Sequence, residues 1–236
     1  MKFQVGIENN NEGRSIAWAL EHPGCFAYGV KGEAAVANLE LALNKYASWI
    51  LHHEPNTWLN FDQTDIEMVI NGTWNVYYIT DDLDLTSEVD GYSVESFFPY
   101  DWKPLTKKEV KHALDMLEWS RDDLLDSIKG VSETKLNQTY VGERWSINGV
   151  LGHVGGAEWW YMDRLGLAFP RPETPEEPLA RLEKVRKHFN SMLIKLDGVN
   201  QVIGADGEVW SPRKVLRRAL WHERDHTDHI HKLIAL

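Results

Sequence analysis

The sequence predicts an α+β protein with two domains: a small α+β domain, made of an antiparallel sheet and one helix, followed by an all-α four-helix bundle. Short β-prone stretches dominate the first hundred residues. In the rest, apolar residues recur at three- and four-residue steps over long stretches. Between them, the two prolines of Pro99–Pro104 oppose a continuous helix or central strand. Charge changes there too: residues 1–104 hold five Lys and Arg against sixteen Asp and Glu, and the remainder holds twenty of each. We therefore assign the domains to residues 1–102 and 105–236.

The amino-terminal domain begins with three stretches, KFQVGIE, SIAWALE and CFAYGV, whose near alternation of apolar and polar residues predicts strands. Apolar residues at three- and four-residue steps predict an amphipathic helix from Gly32 to about Leu51. Two further strands are expected at Ile66–Ile70 and Trp74–Ile79. The dipeptide Asn71-Gly72 favours a tight hairpin turn between them.

The carboxyl-terminal domain is predicted to contain four long helices. Thr106 and Glu109 form a capping-box pattern for the first, and Ser211-Pro212 supplies a capping serine and a first-position proline for the last. The helices are expected at Thr106 to about Gly130, Ser146 to about Leu165, Pro175–Leu196, and Ser211 to the terminus.

Three histidines follow the inward side of the last helix. In the stretch WHERDHTDHI, the inward positions are His222, His226 and His229, which continue the steps of four and three that begin at Val215 and Ala219. His231 does not follow this spacing. Burial of an imidazole costs free energy unless the ring finds a polar partner. A metal ion bound by these rings would be such a partner.

A three-histidine metal site can be assembled from two helices. His222 and His226 stand four residues apart, which places both rings on one helical face. His153 is the candidate third ligand, because it lies on the inward side of the second helix with Val150 and Ala157. A lone core histidine is more often a hydrogen-bonded residue, but here it faces the His222–His226 pair. Zinc is the favoured ion and nickel the alternative, since imidazole sites accept several divalent transition metals.

The two histidine-bearing segments, WSINGVLGHVGGAEWW and WSPRKVLRRALWHERDHTDHI, resemble the DinB-like family of four-helix-bundle metalloproteins. That family is related to bacillithiol- and mycothiol-dependent thiol transferases, and the resemblance covers about residues 105–236. It implies metal ligands at His153, His222 and His226, and a homodimer. The sequence departs from the family at His229, where many members have glutamine. This histidine is therefore a second-shell group, a fourth ligand or a general base.

A second resemblance concerns about the first fifty residues. The stretch HPGCFAYGVKGEAAVANLELALNKYASWI, with Pro23-Gly24-Cys25, Gly29 and Glu33-Ala34, looks like the strand-to-helix signature of the HicB-like family. Antitoxin-type members of that family bind a small RNA-cleaving toxin. The resemblance implies a fold and a partner-binding role, and it implies no catalytic residue.

Two functions remain open from the sequence. The first is a metal-dependent enzyme, either a thiol-S-transferase or a hydrolase, that acts on a small-molecule substrate, with or without a low-molecular-weight thiol cofactor. The alternative is a non-catalytic metal-binding or partner-binding protein. No catalytic residue is assigned. Six charged residues near the histidines are either functional groups of the site or parts of a solvated helix surface: Glu158, Glu223, Asp225, Arg213, Arg217 and Arg218.

Composition excludes several other classes. Cys25 is the single cysteine, so an intramolecular disulfide and a cysteine-built zinc finger are both impossible. The acidic excess of residues 1–104 opposes binding of this part to the phosphates of nucleic acids. No apolar run is long enough to span a membrane, and the first residues lack the pattern of a signal peptide. We expect a cytoplasmic protein.

Overall fold

The computed structural model describes residues 1–55, 58–59 and 66–236. The chain forms two compact units. The first contains Met1–Lys103 and Asn200–Lys214, and the second contains Pro104–Val199 and Val215–Leu236. The α+β class expected from the sequence is confirmed, because strands dominate the first unit and helices the second.

A four-stranded mixed sheet forms the centre of the first unit, with strand order β3-β2-β1-β4. Strands β1, β2 and β3 pair antiparallel, and β4 pairs parallel with β1. Helix α1 buries Leu39, Leu43 and Ile50 in the core of this unit. Gly29, at the end of β3, permits the close approach of α1, since a Cβ there would lie 2.2 Å from the backbone nitrogen of Ala35. The bounds are β1 Lys2–Asn11, β2 Arg14–Ala19, β3 Phe26–Gly29, α1 Gly32–His53 and β4 Glu67–Asn75.

The hairpin turn predicted at Asn71-Gly72 is wrong. Strand β4 runs through this dipeptide, and neither residue has the positive φ that such a turn needs. Instead the register with β1 shifts by one residue, because Val5 faces Ile70 whereas Gly6 faces Gly72. Asn71 is the extra residue of this bulge, and its side chain bonds Gln4 Oε1 and the backbone N–H of Tyr100.

Residues 200–214 belong to the first unit. Two short antiparallel strands in this range form a hairpin. A buried ion pair stabilises it, in which Nζ of Lys214 donates to Oε1 of Glu208 at 2.6 Å. Glu208 also accepts from the backbone N–H of Glu95, at 3.2 Å. The remaining strands of the unit are β5 Tyr77–Ile79, β6 Leu85–Thr86, β7 Tyr92–Val94, β8 Ile203–Ala205 and β9 Glu208–Trp210.

The second unit contains four long α-helices and one short α-helix. Helix α2 begins with the predicted capping box, in which Thr106 Oγ1 accepts from the backbone N–H of Glu109. The helices are α2 Lys107–Ser127, α3 Glu133–Asn137, α4 Ile147–Arg164, α5 Pro178–Leu193 and α6 Pro212–Ala235, of which the first three residues lie in the first unit. Apolar side chains from all four long helices form one buried cluster: Leu124, Ile147, Val150, Leu151, Val154, Leu182, Ile230 and Leu233.

None of the helices in the described part of the chain combines the length and the hydropathy required to cross a membrane.

Candidate metal centre

Helices α4 and α6 carry the three histidines that the sequence singled out. Ser146 caps α4, since its Oγ accepts from the backbone N–H of Gly149 at 3.2 Å. Two turns later, His153 lies between the buried residues Val150 and Val154. On α6, His222 is buried with 8% exposure, and His226 lies one turn further on.

The rings of these histidines converge on one point. Nε2 of His222 lies 2.9 Å from Nε2 of His153 and 3.2 Å from Nε2 of His226. One ring nitrogen from each residue lies within 4.8 Å of the other two. Two nitrogens that are both bound to zinc at about 2.0–2.1 Å are roughly 2.9–3.4 Å apart for angles of about 90–110°. The two observed Nε2 separations are in this range.

All three imidazoles are neutral at pH 7. Burial lowers the pKa of His153 to about 4, and the positive charge of Arg144 contributes. Burial likewise lowers the pKa of His226 to about 3. The pKa of His222 is well below the ordinary value because of burial and then the charges of His226 and His153. Neutral imidazoles offer lone pairs, which a metal ion requires of its ligands.

Protons alone do not satisfy the contacts between these rings. Each Nε2 of a neutral imidazole carries either one proton or one lone pair. Nε2 of His222 faces the Nε2 atoms of both His153 and His226. If Nε2 of His222 is protonated, it donates its one proton to only one of these two nitrogens. If it is unprotonated, its one lone pair must accept from both of them. Nδ1 of His226 is buried and makes no hydrogen bond within the described residues, so no second hydrogen bond fixes that ring. One cation that accepts three lone pairs removes the conflict, and the donor set therefore fits a metal ion.

Aromatic side chains surround the histidine cluster. The indole of Trp145 stacks on the ring of His153, with centroids 4.3 Å apart and planes 23° apart. Tyr161 and Trp221 approach the ring of His222 at 6.1 Å and 5.7 Å. These rings restrict the orientations of the imidazoles.

His229 lies on the inward side of α6, as its spacing predicted, but its ring nitrogen contacts a carboxylate. Nε2 of His229 is 2.9 Å from Oε2 of Glu143, and Nζ of Lys232 is 2.5 Å from Oε1 of the same residue. The ring centroids of His229 and His226 are 5.8 Å apart. The structure thus brings together His153, His222 and His226 and pairs His229 with Glu143. His231 is exposed.

A second group of charged residues was not predicted as a unit from the sequence. Two arginines and two glutamates form a closed ring of ion pairs between α2, α4, α5 and α6. Arg121 donates to Glu223 at 2.6 Å and to Glu158 at 2.9 Å. Arg186 donates to Glu158 at 2.5 Å and to Glu223 at 2.7 Å. We call Arg121, Glu158, Arg186 and Glu223 the charge quartet.

The backbone completes the hydrogen bonding of the charge quartet. Arg121 also donates to the carbonyl oxygen of Leu182, and Arg186 to that of Leu117. All four side chains are at most 9% exposed. The two carboxylates balance the two guanidinium groups, so the bundle interior holds no net charge at this place. Of the two roles left open by the sequence, a solvated surface position is therefore wrong for Glu158 and Glu223.

A sequence signal for the charge quartet exists. Each member occupies an inward position at three- and four-residue steps, as Arg186 does between Leu182 and Phe189 and as Glu223 does between Leu220 and Thr227. A charged residue at such a position predicts a buried partner of opposite sign. The three arginines near the start of α6, Arg213, Arg217 and Arg218, are buried as well, at 2–4% exposure, instead of forming a solvated face.

Residues 116–230 match the model of the DinB superfamily. The matched range includes all three converging histidines and the whole charge quartet. No curated protein and no solved structure matches the chain.

Proposed function

We propose that this chain is a metal-dependent enzyme of the DinB-like type that binds one divalent transition metal through His153, His222 and His226. The convergence of three neutral Nε2 atoms carries this proposal. The match of residues 116–230 to the DinB superfamily supports it. Zinc is the favoured ion and nickel the alternative, because imidazole ligands suit both.

The proposed reaction is a thiol-S-transfer or a hydrolysis. A metal held by three protein ligands would lower the pKa of a water or thiol bound at a remaining position. The chain itself contributes neutral ligands, an aromatic surround and a fixed orientation of His153 through Trp145. We propose a small-molecule substrate, with a low-molecular-weight thiol as cosubstrate if the reaction is a transfer, and a homodimeric assembly. Turnover of thiol adducts or of ester substrates by the metal-loaded chain distinguishes the two reactions.

A non-catalytic role is the second candidate. The HicB-like resemblance of the first fifty residues favours partner binding by the first unit, whereas the family match begins at residue 116. Because residues 200–214 also belong to the first unit, the full chain is the proper reagent for a binding test. Capture of a co-encoded ribonuclease by the full chain, together with metal-dependent stability and no turnover, would favour this role over the enzyme.

The lowered pKa values predict that metal affinity will depend little on pH above pH 5. An imidazole with the ordinary pKa of about 6.5 loses roughly tenfold in affinity at pH 5.5, because protons compete for its lone pair. In this site the pKa is about 4 for His153 and about 3 for His226, so protons compete only below those values. Calorimetric titration with zinc should give dissociation constants at pH 7.5 and pH 5.5 that agree within about threefold.

The direction in which pH changes metal binding follows from the lowered pKa values of the histidines. A folded-state pKa below the unfolded value means that the unfolded chain binds more protons, so acid favours the unfolded protein, and protons also compete with the metal for the same lone pairs. Binding should therefore vary little above about pH 5 and weaken as the pH falls through about 4. A loss of affinity of a hundredfold or more between pH 7.5 and pH 5.5 would show that these imidazoles titrate normally and would contradict the buried, neutral site.

A further inference from the structure

The segment between α3 and α4, residues 138–146, contacts both helices of the candidate metal centre. It turns at Gly142, whose φ of 86° is in the region that glycine adopts without strain. Directly after this turn, Glu143 points its carboxylate at α6, and Trp145 places its indole on His153 of α4. We call residues 138–146 the connecting segment.

Glu143 is the polar attachment of the connecting segment to α6. Its two oxygens have different partners, Nε2 of His229 at 2.9 Å and Nζ of Lys232 at 2.5 Å. The side chain of Glu143 is 15% exposed and that of His229 is 21% exposed, so their contact is sheltered, whereas Lys232 is 62% exposed. Both partners lie on α6 within two turns after His226. The attachment is thus adjacent to the histidine cluster and separate from it.

Trp145 connects the attached segment to the histidine cluster through ring contacts. Its ring stacks on His153 at 4.3 Å and meets the ring of His226 edge-on at 6.2 Å. The guanidinium of Arg144 lies 4.4 Å from the indole centroid, which adds a cation–π contact. Rotation of a ligand ring away from the three nitrogens makes it easier for a metal ion to leave, and the stacked indole opposes rotation of His153.

We propose that Glu143 is a positioning residue that acts through Trp145: it holds the connecting segment against α6, keeps the indole on His153, and thereby slows release of the bound metal. This inference rests on the proposed metal site. It assigns a role to the pairing of His229 with Glu143. In this role His229 supports the site through the connecting segment and does not enter the coordination.

The test is the rate at which metal-loaded protein releases Co²⁺ or Zn²⁺ to an excess of a strong chelator. Glu143→Gln keeps the size of the side chain but removes its charge, and we expect release about tenfold faster than from the wild type. The matched control is Asp115→Asn, which removes the Lys111–Asp115 ion pair of α2, at 2.9 Å, and should leave the rate unchanged. The visible absorption of bound Co²⁺ should change in Glu143→Gln and not in the control, because only the former frees the His153 ring.

A double-mutant cycle tests the route through Trp145. Trp145→Ala should also accelerate release, and Glu143→Gln in that background should add little, since the indole it positions is already gone. Additive effects, or a Glu143→Gln variant that releases metal at the wild-type rate, would overturn the inference while leaving the metal site intact. A wild-type chain that binds neither ion would overturn the proposed function and this inference together. If Trp145→Ala folds poorly, Trp145→Phe is the substitute variant. It keeps an aromatic ring at this position and should release the metal slowly.

Discussion

Arg186→Met should lower the free energy of unfolding of the second unit by about 3–5 kcal/mol. The substitution leaves Glu158 and Glu223 with one guanidinium instead of two, inside a bundle where neither side chain is more than 4% exposed. Each carboxylate then loses a charged hydrogen bond and retains its desolvation cost. The carbonyl oxygen of Leu117 also loses the hydrogen bond that Arg186 donates. Urea denaturation followed by circular dichroism measures the difference.

Lys187→Met is the matched control for this prediction. It makes the same type of change at the next residue of α5, where the side chain is exposed, and should alter the free energy of unfolding by less than about 0.5 kcal/mol. Replacement of all four members of the charge quartet by apolar residues of similar volume should cost far less than Arg186→Met, because no unpaired charge remains. A loss below about 1 kcal/mol in Arg186→Met would contradict the buried, mutually dependent network.

Zinc at a concentration one hundred times its dissociation constant should raise the free energy of unfolding of the second unit by about 2.7 kcal/mol. Such stabilisation requires that the ion bind the folded chain and not the unfolded one, which holds if the ligands come from two helices. His226→Ala removes one of the three converging nitrogens and should abolish most of the increase. Thermal or urea unfolding with and without zinc provides the measurement.

His231→Ala is the control for the zinc effect, because His231 lies on the same helix but is exposed and separate from the cluster. It should retain the full zinc-dependent increase. Equal stabilisation of the wild type and His226→Ala would mean that zinc acts elsewhere on the chain.

The histidine cluster was predictable because one periodicity defines it. A single helix face placed His222 and His226 together, and a second face of the same kind selected His153. Their convergence in space required only that the two faces turn toward one core. The position of His229 on that face was equally visible, but its partner was not, since Glu143 belongs to an irregular segment whose path depends on the turn at Gly142.

Local patterns misled at one further feature and gave only part of the information at another. Asn71-Gly72 has the composition of a hairpin turn, yet pairing of β4 with β1 over eight positions outweighs the preference of two residues. The charge quartet joins residues up to 102 positions apart, so each member alone resembles a surface charge. Only its inward position on the helix distinguishes each of these residues from a surface charge. This signal predicts a buried ion-pair network once inward positions carry both positive and negative residues.

The metal content of the purified, untagged chain, measured by plasma mass spectrometry, tests the central claim most directly. The proposal predicts about one equivalent of a divalent transition metal in the wild type and in His231→Ala, and its loss in His153→Ala, His222→Ala and His226→Ala. Absence of metal from the wild type after reconstitution with zinc and with nickel, or full retention by the three variants, would contradict a metal site at these histidines.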